Sequence, residues 1–146
     1  VAAGRKGDRA RGQILFESAR AGCMACHKIG NQGGMIGPEL SAVGSGVPAD
    51  RIVTEVLWPA RQVKGGYALS RITMRDGRVL QGYLQESRDK KLLLLRDFVG
   101  AGIQEVEAEM VSKEEPIGSL MPPTAQSLSR DELSDLFAYL FSLVGK

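Results

Sequence analysis

The 146-residue chain has only two cysteines and one histidine. They fall together, as Cys23, Cys26 and His27. That scarcity excludes several chemistries. An all-cysteine iron–sulfur cluster needs four thiolates. A closed zinc site normally takes four Cys or His ligands, so here it would need a carboxylate as its fourth. A catalytic triad would have to use this one histidine. No disulfide framework beyond a single bridge can form. Charge of one sign is lacking too: 19 Lys and Arg face 17 Asp and Glu, a net +2. Nothing therefore predicts nucleic-acid binding, which wants a clustered basic surface. No apolar run reaches membrane-spanning length, and the longest pure run, Leu92 to Leu95, is strand-sized. The chain begins at Val1 with neither an initiator Met nor a signal peptide, which reads as a mature chain or an excised domain.

What is present describes one ordinary globular domain. Apolar residues make up 43% and charged residues 25%, enough for a core without disulfide staples. The basic excess is local, with Arg5, Lys6, Arg9 and Arg11 opposing only Asp8, and reads as a solvated N-terminus. Asp8 can cap a helix running to Ala21. Glycines crowd positions 22 to 46, so that stretch cannot hold long regular elements and must be fixed by something else. Pro48 opens a second helix carrying Ile52, Val53, Val56 and Leu57, and Pro59 closes it. From 67 to 111 the period changes. Ile72, Met74 and Val79 alternate with polar residues around Asp76-Gly77, a hairpin signal. Strands are expected over Lys91 to Arg96 and, after Gly100 and Gly102, over Ile103 to Met110. The reading is a small antiparallel sheet of about four strands. A capping box at Ser129 to Glu132 opens a last helix with Leu133, Leu136, Phe137, Leu140 and Phe141 at helical spacing.

Cys23-Met24-Ala25-Cys26-His27 is C-x-x-C-H, the attachment pattern of a c-type haem. Two thiols at this spacing reach the two vinyl groups of one porphyrin, and the next residue brings an imidazole beneath the iron. The aromatic content of 5% fits, because a haem supplies part of the core that Phe and Trp usually fill. A thioredoxin-like dithiol would want a βαβ setting, whereas these cysteines follow a helix and enter a glycine-rich loop.

With no second histidine, methionine is the usual sixth ligand. Met24 lies inside the motif, and Met35 in the proximal loop. Met74 and Met110 sit in strand patterns and read as packing residues. Met121, in Ser119-Leu120-Met121-Pro122-Pro123, lies on a proline-stiffened segment before the last helix. It is the favoured ligand. The alternatives are a five-coordinate iron or a lysine such as Lys64.

Together these residues resemble class I cytochrome c over 11 to 58 and 117 to 144. The resemblance rests on Gly12 and Phe16, Cys23 to His27, Gly37-Pro38-Glu39-Leu40, Met121-Pro122, Asp135-Leu136 and Tyr139-Leu140. It implies a mainly α cytochrome c fold in which first and last helices cross closely at Gly12. It also implies that the Pro38 carbonyl accepts the His27 Nδ1 proton. Leu57-Trp58-Pro59-Ala60, Tyr67, the Met74 to Arg78 hairpin and Ser119 to Pro122 make the chain similar to a narrower group, the haem-binding cytochrome domains of Planctomycetes and Verrucomicrobia. In that group Trp58, Arg61 and Tyr67 would line the haem edge, with Arg61 on a propionate; the other reading is a solvated arginine and core aromatics.

The expectation is a single domain over 1–146, with the small antiparallel sheet inserted over 67–111. Its function would be one-electron transfer through one covalent haem c, ligated by His27 and Met121. The alternative is a haem-based small-ligand sensor or binder with an open or labile sixth position. The protein would carry electrons and perform no bond chemistry of its own. Its partners would be redox proteins or a fused dehydrogenase domain, with no membrane span. The insertion would shape that contact or a homodimer interface. Haem c is attached outside the cytoplasm, so the expected compartment is periplasmic and the precursor would carry an export signal.

Overall fold

A computed structural model describes residues 6–64, 67–85, 91–97 and 102–145. Arg5 and Gly100, named above, lie outside the described residues. The chain divides into two compact units, Val1–Arg61 with Pro122–Lys146, and Gln62–Met121.

In the first unit the Asp8 carboxylate accepts the Arg11 N–H at 2.8 Å. This side-chain cap satisfies a backbone donor that helix geometry leaves free, and it starts α1, Arg9–Glu17. The helix ends earlier than its composition suggests. Ser18 is extended, and its N–H and Oγ both turn back to the Leu15 carbonyl, at 3.1 and 2.6 Å. Three further helices follow, α2 (Cys23–Cys26), α3 (Val43–Gly46) and α4 (Ala49–Leu57), with two short strands, β1 (Lys28–Ile29) and β2 (Gln32–Gly33), between α2 and α3. The last helix, α5, is Arg130–Ser142. Its capping box forms as the sequence predicts: the Ser129 hydroxyl accepts the Glu132 N–H, and the Glu132 carboxylate accepts the Ser129 N–H.

Helices α1 and α5 pack against each other at Gly12. A β-carbon there would collide with the Asp135 carbonyl and stand 2.8 Å from Tyr139 Cβ. Only glycine lets the two backbones come so close. Phe16 then stacks obliquely on Tyr139, ring centres 5.6 Å apart. Around this contact a core of Phe16, Ile52, Ala125, Leu128, Leu136, Tyr139 and Leu140 is buried. Full burial of a side chain such as Phe16 or Leu136 contributes about 2 to 3 kcal/mol. Asp135 is also buried; its two oxygens accept the Asp8 N–H at 2.8 Å and Arg11 Nε at 3.2 Å. The buried carboxylate thus fixes the start of α1 on the side of α5.

The second unit is a five-stranded antiparallel sheet. Its strands are β3 (Leu69–Met74), β4 (Val79–Gln85), β5 (Leu92–Arg96), β6 (Ile103–Glu107) and β7 (Val111–Gly118), in the order β6-β5-β4-β3-β7. The β3–β4 hairpin turns at Asp76-Gly77, where Gly77 has φ 91° and so adopts a conformation that side chains disfavour. Edges β6 and β7 are joined by a three-residue 3₁₀ turn, Ala108–Met110. Flat, such a sheet would separate its edges by about 19 Å. The linking residues reach at most about 14 Å. The sheet is therefore curled, with Ile72, Met74, Leu95 and Val106 buried in its core.

The expected mainly α fold is not what the chain adopts. Among the described residues there are five helices, of which only three reach seven residues; strand accounts for 27% of those residues, and the five-stranded antiparallel sheet dominates. Two local causes account for the difference. The first is that α1 stops at Ser18, and the glycine-rich segment after it holds only single helical turns and a minimal hairpin. The second is that β7 extends the sheet to Gly118, beyond the expected limit of 111 and adding a fifth strand. β7 escapes notice because its pattern is charged and contains Pro116, which an edge strand tolerates. Met110 sits in the 3₁₀ turn and is 41% exposed, so it is not a strand packing residue; Met74 is buried in the sheet.

Candidate haem-attachment site

The site is built on one helical turn. Gly22 enters α2 in the left-handed region, φ 71°, and the His27 N–H closes the turn on the Cys23 carbonyl at 3.0 Å. Cys23 and Cys26 are both free thiols, half-buried on this turn. His27 leaves the helix in an extended conformation.

The glycine-rich segment is fixed by folding back on this turn. Lys28–Ile29 (β1) and Gln32–Gly33 (β2) form a minimal hairpin. Beyond it the Gly34 N–H donates to the Met24 carbonyl at 3.0 Å, Gly37 to Cys26 at 2.8 Å, and Leu40 to Lys28 at 2.9 Å. Side chains at 33 and 34 would strike the His27 and Ala25 carbonyls. The glycine density that marked this stretch as irregular is what lets it lie against the cysteine turn.

This segment delivers Pro38, whose carbonyl oxygen lies 2.8 Å from His27 Nδ1. A carbonyl can only accept, so Nδ1 carries the proton. Burial pushes the imidazole below its usual value, and the Pro38 bond opposes that only in part. The ring is therefore neutral near pH 7, and its bare lone pair is on Nε2. That is the form in which imidazole binds a metal, with a backbone acceptor fixing the tautomer.

The thiol of Cys23 is raised above its ordinary value, first by burial and then by Cys26, against its own backbone hydrogen bond. Its sulfur lies 3.8 Å from the Ala21 carbonyl. A dithiol of thioredoxin type works through a lowered thiol; this one is shifted the other way. Among the described residues no group of three His, Cys, Asp or Glu side chains converges as a metal site, so no carboxylate joins these residues as a zinc ligand.

No protein-family model matches the chain, and no curated protein matches it.

The remaining candidates lie elsewhere. In the same unit as His27, Trp58 caps α4 and is 44% exposed, and the Arg61 guanidinium sits over its ring at 4.8 Å. Their N–H and C=O also close a turn, Arg61 to Trp58 at 3.0 Å. Tyr67 and Met121 belong to the sheet unit. Tyr67 packs on Tyr83, ring centres 5.5 Å apart, with Arg96 over both rings and Lys64 at 6.0 Å from Tyr67. Arg96 carries no signal along the chain, because nothing local links 96 to 67. Met121 is half-buried, and its N–H donates to Ser119 Oγ at 3.1 Å. Among the other methionines, Met24 packs half-buried against the helical core and Met35 is 69% exposed. Among the described residues no helix is long and apolar enough to cross a membrane.

Proposed function

We propose that this chain holds one haem c and serves as a one-electron carrier. The observation that carries this reading is the His27 Nδ1 to Pro38 carbonyl contact at 2.8 Å, one residue after a single-turn C-x-x-C. The donor set fits the group: two free thiols on one turn, and a neutral imidazole with its Nε2 lone pair free of the proton. Cys23 and Cys26 would each add S–H across one vinyl group, a redox-neutral addition that leaves a thioether. His27 would ligate iron through Nε2, while Pro38 holds the ring and raises its basicity. Met121 is the proposed sixth ligand, on the segment stiffened by Pro122 and Pro123. When bound, the iron supplies a ferric/ferrous couple, and the protein's part is to hold and tune it.

On this reading the chain catalyses no bond change of its own. It passes electrons to a redox protein or a fused dehydrogenase through a small transient contact. Because haem c is attached outside the cytoplasm, the proposed compartment is periplasmic. The test is spectroscopic, on chain expressed with haem-attachment machinery. Covalent haem that resists acid–acetone, together with a far-red ferric Met–iron band, is the expected result. Covalent haem without that band, and ready binding of carbon monoxide to the ferrous form, would replace electron transfer by small-ligand binding. Absence of covalent haem would overturn the proposal.

A further inference from the structure

We infer that Gly37 is the positioning residue that sets the plane of the His27 imidazole. A β-carbon built at residue 37 would stand 2.7 Å from Cε1, 2.9 Å from Nδ1 and 3.2 Å from Nε2 of His27. All three are ring atoms, and the distances lie inside the ordinary contact of about 3.5 Å. The ring thus lies directly against the Gly37 α-carbon. That α-carbon cannot retreat freely, because the Gly37 N–H is bonded to the Cys26 carbonyl at 2.8 Å. The next residue supplies the Pro38 carbonyl to Nδ1. One hydrogen bond leaves the imidazole free to swing about the N–H···O line; the contact with Gly37 closes one side of that swing.

The backbone does not itself demand glycine here. Among the described residues Gly22, Gly30, Gly33, Gly77, Gly118 and Gly145 have positive φ, and Gly37 does not. The neighbouring Gly33 and Gly34 make room for main-chain carbonyls, whereas at 37 the space is taken by the imidazole. Gly46 offers a matched control, since a β-carbon there meets nothing within 4 Å and its φ is not positive.

The consequence for function rests on the haem reading: the plane of the axial imidazole would be fixed by the protein before any ligand is bound. A β-carbon at 37 would push the ring off the Pro38 carbonyl, weaken the Nδ1–H bond and lower the basicity of Nε2. A less basic ligand favours the ferrous form, so the midpoint potential should move to a more positive value.

The experiment compares Gly37→Ala and Gly46→Ala with the wild-type full chain. Covalent haem yield is expected to be equal in wild type and Gly46→Ala. Only Gly37→Ala should change the pattern of hyperfine-shifted haem methyl resonances and raise the midpoint potential. An unchanged methyl pattern and potential in a folded Gly37→Ala chain would overturn the inference. A second measurement needs no variant and no haem: a short-range nuclear Overhauser contact between a Gly37 α-proton and a His27 ring proton in the wild-type chain. Its presence supports the positioning contact even where Gly37→Ala fails to fold, and its absence overturns it. A wild-type chain lacking covalent haem but showing the contact would defeat the haem reading alone.

Discussion

His27 Nδ1 stands 2.8 Å from the carbonyl oxygen of Pro38, eleven residues later in the chain. This one contact fixes the tautomer, leaves Nε2 bare and ties the glycine-rich segment to the cysteine turn.

The two thiols are the first test. Replacing Cys23 and Cys26 together by alanine should leave no haem in the protein fraction after acid–acetone extraction. Both side chains are half-buried, and Cys23 packs at the edge of the helical core, so the loss of packing is modest and circular dichroism should still show helix. Haem retained through extraction by the double variant would contradict attachment at these positions.

Met121→Ala should abolish the far-red ferric band and open the ferrous iron to carbon monoxide. Met121 is half-buried, so its removal creates no large cavity, and the covalent haem content should not change. A surviving band would move the sixth ligand to another methionine; a wild-type chain without the band whose spectrum changes on Lys64→Ala would assign the position to that lysine.

Gly12→Ala should destabilise the helical unit. Its β-carbon would meet the Asp135 carbonyl and lie 2.8 Å from Tyr139 Cβ, with backbone on one side that cannot rotate away. Overpacking of this kind costs about 1 to 3 kcal/mol. Urea unfolding followed by α-helical signal measures it. A midpoint equal to wild type would mean that α1 and α5 are not in close contact at this position in solution.

Glu132 gives a pH signature. Arg20 binds its carboxylate through both terminal guanidinium nitrogens, Nη1 and Nη2, and the Ser129 N–H adds a third bond. The Arg20 bond, then the Ser129 N–H, hold it down from the ordinary 4.5 to about 2. A carboxylate with a lowered folded value binds protons first in the unfolded chain. Its contribution to stability is therefore complete above pH 4.5 and is lost as pH falls towards 2. The pair is exposed, so salt should weaken it. Wild type and Glu132→Gln should differ in unfolding midpoint at neutral pH and converge in acid; a difference that persists below the folded value would assign the effect to something other than this charge.

Much of the candidate site could be read along the chain because its parts are local. Cys23, Cys26 and His27 share one turn, and that spacing is chemistry at short range. The Asp8 cap, the Ser129 capping box and the Asp76-Gly77 turn were legible for the same reason: each is a hydrogen bond or a backbone angle within four residues. Strand β7 was not legible, because a charged edge strand with Pro116 is recognised only by the β3 it pairs with. The fold class was misjudged through that strand and through α1, which stops at Ser18 although the apolar spacing runs on.

The sequence by itself determined the inventory: two thiols, one imidazole, and no second histidine to complete an iron site. It also placed glycines where the chain had to bend closely. Only tertiary structure decided what those glycines are for. Gly12 makes room for a helix backbone, Gly34 for a carbonyl, and Gly37 for the imidazole of a residue ten positions earlier. A missing side chain leaves the same mark in a sequence whatever fills the space, and the filling group is chosen by non-local packing.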